Sequence, residues 1–216
     1  MKLIDEIKEM QEKMLPKIPE ETLQTMMATT EKLVASDIAD RAVREQQAAP
    51  LFTLANTQGK NISLQSLLDK GPVVINFYRG SWCPYCHLEL KAYQNTLPAI
   101  KEAGATLISV SPNLQEKSAK FVAENPFSFD ILSDEGNQVA HQYGLVFSLA
   151  EELRPIYEQF GINIPELDGN DSYELPIPAT YIIDMDGTII HAFVEADYTM
   201  RIEPSLVVDI LRRHKL

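Results

Sequence analysis

The stretch RGSWCPYCH, residues 79–87, contains both cysteines of the chain, Cys83 and Cys86, with two residues between them. This spacing suits four kinds of chemistry: a redox dithiol, attachment of a c-type haem, part of a zinc site, or two inert buried thiols. Structural zinc usually takes four ligands from two such pairs, and the sequence has no second pair of cysteines. We therefore expect no metal.

The haem pattern Cys-x-x-Cys-His is matched in full, because His87 directly follows Cys86. Two arguments oppose haem. Such attachment normally requires an exported chain, and the motif directly follows the apolar run PVVINFY, where a haem would displace the protein core. We therefore expect no cofactor and interpret His87 as an ordinary residue of a first helical turn.

The elements on either side of the motif favour a redox dithiol. The run PVVINFY (residues 72–78) predicts a strand buried on both faces, and CHLELKAYQNTLPAIKEAG has helical periodicity. This order places Cys83 near the N-cap and Pro84 at the first helical position. The free N–H groups and the positive end of the helix dipole then lower the pKa of the Cys83 thiol. Cys86 lies one turn further on, within disulfide reach and more buried.

The rest of the chain predicts an α/β fold with a central mixed sheet flanked by helices. Strands and helices alternate from residue 72 to 144, which implies parallel strands, and the segments ATYIID and TIIHAF predict an antiparallel hairpin around DMDG. We divide the chain into a helical extension, residues 1–47, and a domain, residues 48–216.

We also predict an insertion at about residues 145–175. Its first part, LVFSLAEELRPIYEQFG, is amphipathic but contains Pro155, and its second part, INIPELDGNDSYELPIP, is typical of a loop. The insertion either covers the site or is plain structural elaboration.

The N-terminal extension is predicted to form two helices, the second over about residues 20–44. Leu3, Ile7, Met10 and Met14 recur at helical spacing, and the second helix is also rich in methionine. Methionine-rich faces suit either an arm packed on the domain or a dimer contact, and both interpretations stay open. A homodimer formed through these helices is the corresponding partner prediction.

The composition argues against two classes of binding partner. The 216-residue chain carries a net charge of −12, which repels phosphate backbones and anionic lipids, so we expect neither nucleic acid nor a membrane as partner. The N-terminal segment MKLIDEIKEMQEKML is interrupted by charges throughout, unlike a signal peptide. We expect a cytoplasmic protein.

Two segments, APLFTLANTQGKNISLQSLLDKGPVVINFYRGSWCPYCHLEL and PIPATYIIDMDGTII, resemble the AhpC/TSA (peroxiredoxin-like) branch of the thioredoxin-like superfamily. The resemblance covers roughly residues 49–214. It implies a thioredoxin-like fold, with Pro178 as a cis-proline against the dithiol. Trp82 matches the tryptophan that precedes many thioredoxin-like dithiols, and Glu89 matches a glutamate common to both branches.

The chain departs from the peroxiredoxin pattern at two places. Cys86 occupies the position of the peroxidatic cysteine, and Cys83 occupies that of the usual threonine or serine. The arginine that peroxiredoxins keep shortly before the FIID-like strand is replaced by Pro178 and Ala179. Arg79 either supplies the missing positive charge or is a solvated loop residue. Helix geometry assigns the attack to Cys83, whereas the family register favours Cys86.

The resemblance implies an antioxidant thiol peroxidase, whose CxxC disulfide is reduced again by a thioredoxin- or glutaredoxin-type donor. One alternative is a general thiol-disulfide oxidoreductase that acts on disulfide substrates, and another is a redox-sensing interaction module. Trp82 and Tyr85 either form an apolar rim that docks a partner or simply pack against the domain. The predicted site thus comprises two catalytic cysteines and six supporting residues: Cys83, Cys86, Arg79, Trp82, Pro84, Tyr85, Glu89 and Pro178.

Overall fold

A mixed sheet of seven strands forms the centre of the protein, in the order β2-β1-β5-β4-β3-β8-β9. The computed structural model describes residues 2–214. The strands of this sheet are β1 (Thr53–Asn56), β2 (Asn61–Ser63), β3 (Val73–Phe77), β4 (Thr106–Ser111), β5 (Asp130–Ser133), β8 (Ala179–Ile183) and β9 (Ile189–Val194). A separate two-stranded ribbon pairs β6 (Val146–Ser148) with β7 (Glu174–Pro176).

The pairing of the strands confirms the predicted mixed sheet. β3 lies parallel to β4, and β4 parallel to β5, as expected for strands joined by helical crossovers. β8 pairs antiparallel with both β3 and β9, and the β8–β9 hairpin turns at the DMDG segment. All residues of β3 and β8 are buried, which explains why both strands appear in the sequence as apolar runs.

Helices cover both faces of the sheet. They are α1 (Leu3–Met14), α2 (Glu20–Val34), α3 (Leu64–Leu68), α4 (Pro84–Glu102), α5 (Gln115–Glu124), α6 (Gln138–Gln142), α7 (Arg154–Gln159), α8 (Ile164–Asp168) and α9 (Pro204–His214). Alternate residues of β3 enter two cores: Val73 and Ile75 pack in one, and Val74 packs in the other, with side chains of α4 and α9. The sheet thereby fixes α4, whose first turn contains the cysteine pair, against a rigid support.

The N-terminal residues form helices as predicted, but the second helix is shorter than expected. α2 ends at Val34 rather than near residue 44. Asp37 then adopts a left-handed conformation with φ of 54°, and a short 3-10 turn (Ile38–Arg41) follows. A left-handed residue cannot continue an α-helix, so the apolar periodicity beyond Val34 belongs to a separate turn.

The predicted insertion, residues 145–175, is well structured, including the second part that was predicted as a loop. It contains α7 and α8 between the paired strands β6 and β7. Pro155 and Pro165 lie in the first turns of α7 and α8, where a missing N–H costs no hydrogen bond, so these prolines begin helices rather than break them. Within residues 2–214, every helix is too short or too polar to cross a membrane.

Candidate active site

The first turn of α4 has the predicted geometry. Cys83 is the N-cap residue, with extended backbone angles, and Pro84 opens the helix. A tight connection joins this cap to β3: the Cys83 N–H donates to the Gly80 carbonyl, and Gly80 has φ of 146°, a conformation that favours glycine. Both cysteines are free thiols, and both are buried.

The two thiols differ in acidity. Burial alone would raise the pKa of Cys83, but a hydrogen bond from the Cys86 side chain and the guanidinium groups of two arginines outweigh it. The pKa of Cys83 therefore lies below that of an ordinary thiol. Burial, together with the hydrogen bond and charge of Cys83, raises the pKa of Cys86. At neutral pH the pair accordingly holds a thiolate at Cys83 and a thiol at Cys86.

Arg79 is one of the two arginines, and it is buried rather than solvated. Its side chain stacks between aromatic rings, with the guanidinium carbon 4.8 Å from the Trp82 ring centre and 4.5 Å from that of Tyr198. One terminal nitrogen donates to the Tyr157 hydroxyl at 2.5 Å. Arg79 is thus a buried cation near Cys83, and its Nε–H lacks a hydrogen-bond acceptor within residues 2–214.

Arg201 is the second arginine, and sequence analysis missed it. Its Nε donates to Glu89 at 2.9 Å, and one terminal nitrogen donates to the Cys86 sulfur at 3.4 Å. The side chains of Arg201 and Glu89 are only 1% and 2% exposed. Burial raises the pKa of Glu89 to about 7, although Arg201 opposes that rise. A buried charge pair therefore lies directly behind the second cysteine.

No sequence signal identified Arg201. It belongs to the irregular loop between β9 and α9, and it lies 115 positions from Cys86 along the chain. The family pattern directs attention to the residues before β8, where the chain has Pro178 and Ala179. The positive charge is instead supplied by Arg201, which follows β9 in the sequence. Only the three-dimensional fold brings it to Cys86.

The prediction of a cis-proline at Pro178 is wrong. All peptide bonds in the described chain are trans. Pro178 is buried directly before β8, whose first residue, Ala179, pairs with Phe77 at the end of β3. The carbonyl of Pro178 accepts a hydrogen bond from Glu195, so the trans conformation continues the β8–β9 ladder. In this structure Pro178 is therefore an extended residue that directly precedes β8.

The remaining predicted residues surround the cysteine pair. Trp82 is half-buried, and its ring packs against Tyr157 with 5.3 Å between ring centres. Tyr85 is buried, meets the Tyr198 ring edge-on at 5.4 Å, and accepts a hydrogen bond from Gln11 of α1. His87 is half-buried and packs against Phe121, as an ordinary helix residue would.

A cleft of about 1200 Å³ leads to Cys83. Residues of α1 and α2 line it, together with Tyr157, Phe160 and Ile162 of the 145–175 segment. Cys83 lines the cleft although it is only 1% exposed. Among residues 2–214, no cluster of three or more His, Cys, Asp or Glu side chains is suited to a metal ion.

Comparison with known proteins identifies the family. The AhpC/TSA family model matches residues 46–192, about two thirds of the chain and including both cysteines. The chain belongs to the AhpC/TSA family. The predicted resemblance is therefore confirmed, and the AhpC/TSA segment includes the sheet from β1 through most of β9 together with α3 to α8.

Two curated proteins are similar to most of the chain. Chloroplastic peroxiredoxin Q of Gentiana triflora is 28% identical over 167 residues, which cover 77% of this chain and 64% of that protein. Thiol-disulfide oxidoreductase ResA of Bacillus thuringiensis subsp. konkukian is 26% identical over 66% of this chain and 65% of its own length. The chain thus spans less than two thirds of the length of each of these curated relatives.

A solved structure confirms the fold. Peroxidoxin BcpB from Mycobacterium tuberculosis superposes with a TM-score of 0.62 and 22% identity, covering 79% of this chain and 97% of that one. The predicted thioredoxin-like arrangement is therefore confirmed. The match to plant proteins named as chloroplastic leaves the cytoplasmic location a prediction.

Proposed function

We propose that the protein is a thiol peroxidase in which Cys83 attacks the peroxide. One observation carries this proposal: a thiol of lowered pKa lines a cleft beside Arg79, a buried cation with an N–H that lacks an acceptor within residues 2–214. A thiolate is the nucleophile that peroxide reduction requires. A free guanidinium N–H beside it suits the oxygen that gains negative charge as the O–O bond breaks.

The proposed reaction has three steps. The Cys83 thiolate attacks one peroxide oxygen, the O–O bond breaks, and the departing alkoxide or hydroxide takes a proton to become alcohol or water, which leaves Cys83 as a sulfenic acid. Cys86 then attacks the Cys83 sulfur, forming a disulfide and releasing water that carries the thiol proton. Finally, an external dithiol of the thioredoxin or glutaredoxin type reduces the disulfide and is itself oxidised.

The buried pair of Glu89 and Arg201 supports the second step. Arg201 donates to the Cys86 sulfur, so it stabilises negative charge on that atom as the thiol loses its proton. Glu89 holds the guanidinium in position through its 2.9 Å hydrogen bond. In this proposal Arg201 and Glu89 are positioning residues, and Trp82, Pro84 and Tyr85 shape the approach to Cys83.

Single-cysteine variants test the assignment. Reduced Cys83→Ser and Cys86→Ser proteins are mixed anaerobically with one equivalent of peroxide and then with dimedone, and the adduct is measured by mass spectrometry. We expect Cys86→Ser to form the sulfenic acid, and Cys83→Ser to react at least about a thousandfold more slowly. The double variant is the control.

Two other outcomes are informative. An adduct formed only by Cys83→Ser would transfer the attack to Cys86 and reject the helix-terminus argument. Reaction of both variants at the rate of free cysteine would reject peroxidase activity altogether.

General thiol-disulfide exchange is the second candidate. It is supported by the CxxC pair at a helix N-terminus and by the similarity to ResA, which is named for this activity. Reduction of insulin or of a mixed disulfide without peroxide measures it. Exchange as fast as peroxide turnover would favour this candidate over the peroxidase.

We also propose that residues 1–47 are an extension of a domain formed by residues 48–216, in a cytoplasmic protein. The position of α1 and α2 before the start of the AhpC/TSA match supports the division. A homodimer through these helices stays a proposal, which sedimentation at micromolar concentration tests.

A further inference from the structure

The side chain of Asn113 connects the loop before the cysteine pair with a helix that is distant in the sequence. Its Oδ1 accepts a hydrogen bond from the Ser81 N–H at 2.8 Å, and its Nδ2 donates to Asp168 Oδ1 at 2.6 Å. Ser81 belongs to residues 79–82, which we call the reactive loop, and Asp168 is the last residue of α8. Asn113 is fully buried, so both hydrogen bonds are shielded from water. The amide therefore links α8 to the residues that precede Cys83.

Gly80 of the reactive loop packs closely against the same amide. A Cβ atom at Gly80 would lie 3.1 Å from Asn113 Nδ2 and 2.5 Å from Trp82 Nε1, so the backbone of the loop fills the space between the amide and the indole. The Cys83 N–H donates to the Gly80 carbonyl, which couples the position of Gly80 to that of the cysteine. A shift of the Asn113 side chain would therefore be transmitted to Cys83 through a short stretch of backbone.

Asp168 is buried with few polar partners. It is 3% exposed, and its Oδ2 has no hydrogen-bond partner within residues 2–214. Burial raises the pKa of the carboxyl to about 7, and the hydrogen bond from Asn113 opposes that rise. A buried carboxyl with a single hydrogen bond destabilises a fold, so stability does not explain its presence in α8. Proteins accept such local costs mainly at functional sites.

The 145–175 segment contacts the reactive loop at a second point. Arg79 donates to the Tyr157 hydroxyl at 2.5 Å, and the Tyr157 ring packs against Trp82. The segment is also fixed beside Asn113, because the Leu114 N–H donates to the Leu167 carbonyl of α8 at 2.8 Å. The segment therefore holds the reactive loop at two places, through α7 and through α8.

We propose that Asp168 is a positioning residue for the reaction of Cys83, and that it acts through Asn113 on the reactive loop. The inference rests on the proposed function, because it concerns the reactivity of the same thiol. Arg79, at the start of the loop, helps to lower the pKa of Cys83. A loop released from Asn113 lets the guanidinium and the sulfur move apart, which raises that pKa. The 145–175 segment thus sets the acidity of the cysteine, in addition to lining the cleft.

Leucine and asparagine at position 168 test the contact. The parent is Cys86→Ser, whose only thiol is Cys83, and the pH dependence of iodoacetamide alkylation gives the pKa of that thiol. Asp168→Leu removes the acceptor, so we expect alkylation to be at least about threefold slower one pH unit below the parent pKa and unchanged two units above it. Asp168→Asn keeps an Oδ1 acceptor, as the carboxyl does in both ionisation states, so it should react as the parent does.

Two results would overturn the inference at this stage. An unchanged alkylation profile in Asp168→Leu would mean that the contact does not influence Cys83. Equal slowing by leucine and asparagine would mean that the hydrogen bond to Asn113 is not the cause.

Glu166→Leu is the matched control. Glu166 lies in the same helix and accepts a hydrogen bond from Lys117 of α5 at 2.6 Å, so this variant loosens α8 without removing a partner of Asn113. We expect its alkylation profile to match that of the parent. A shift as large as that of Asp168→Leu would assign the effect to the general attachment of α8 and reject a specific role of Asp168.

A double-variant cycle tests the route through Asn113. Asn113→Ala and Asp168→Ala should each raise the pKa of Cys83, and the double variant should raise it no further than Asn113→Ala alone. Shifts that add would reject the route. Alanine is smaller than leucine and leaves room for water, so this cycle also decides the question where Asp168→Leu does not fold.

Peroxide kinetics separate this inference from the proposed function, because alkylation requires no peroxide. In the protein with both cysteines, Asp168→Leu should lower kcat/KM for hydrogen peroxide, and Asp168→Asn should leave it unchanged. A shifted alkylation profile in a protein that does not turn over peroxide would reject the peroxidase but keep the positioning role. Peroxide turnover by the unsubstituted protein, with the same alkylation profile in the parent and in Asp168→Leu, would keep the peroxidase and reject the positioning role.

Discussion

Two layers around the reactive cysteine are built in opposite ways. We call α1 and α2, whose residues line the cleft, the roof. We call Cys86, Glu89 and Arg201, which contact one another behind Cys83, the floor. Floor side chains are at most 2% exposed and include an ion pair within the core. The roof is largely on the surface: α2 buries only Thr29, and Met27 is 55% exposed. The floor therefore fixes the chemistry rigidly, whereas the roof is free to determine what reaches it.

The largest expected effect comes from breaking the floor. At pH 8, above the pKa of about 7 of Glu89, Arg201→Leu leaves the buried Glu89 carboxylate without its partner. The free energy of unfolding, measured in urea, should fall by about 3–5 kcal/mol. The double variant Arg201→Leu/Glu89→Leu should recover most of that loss, because an apolar pair leaves no buried charge. If the double variant is no more stable than Arg201→Leu, the ion pair is not the cause.

An intermediate effect is expected at Arg79, between floor and roof. Removing this cation in Arg79→Met should raise the pKa of Cys83, since Arg79 helps to lower it. A rise of one unit slows thiolate reactions about tenfold at pH values below the pKa and leaves them unchanged well above it. The pH dependence of iodoacetamide alkylation measures this in a Cys86→Ser background. Arg79→Lys should shift the profile less, and identical profiles for Met and Lys would exclude a charge effect.

The smallest effect is expected where the roof is attached. The Glu203 carboxylate accepts hydrogen bonds from the backbone N–H groups of Leu3 and Ile4, at the start of α1. Loss of such a cap costs about 1 kcal/mol. Glu203→Ala should therefore speed hydrogen exchange in α1 and leave the amides of α4, which holds Cys86 and Glu89, unaffected. Faster exchange in both elements would mean that roof and floor unfold together.

The long elements of the fold could be predicted because their burial is uniform. The apolar runs that became β3 and β4 lie in the sheet centre, and the helical periodicity of α4 extends over five turns. The 145–175 segment could not be predicted, because its helices have only 5 and 6 residues. Periodicity needs a longer window than that to separate a helix from a loop.

The residues of the candidate site also differ in whether the sequence could predict them. Cys83 and Pro84 were predictable because a helix cap is a local structure, set by neighbouring residues. Arg201 was not, because its contacts with Cys86 and Glu89 exist only after the sheet and α9 have formed. Pro178 was assigned a cis bond from resemblance alone, whereas its peptide bond is trans and its carbonyl accepts a hydrogen bond from Glu195.

The loop between β9 and α9 joins the roof to the floor. Tyr198 packs on Tyr85, Arg201 bonds Cys86, and Glu203 holds the start of α1, all within six residues of one another. A spectroscopic label or fused peptide inserted there would disturb reactivity and access at once. The β8–β9 turn at Met185 is the safer place to attach one, since Met185 is exposed and does not line the cleft.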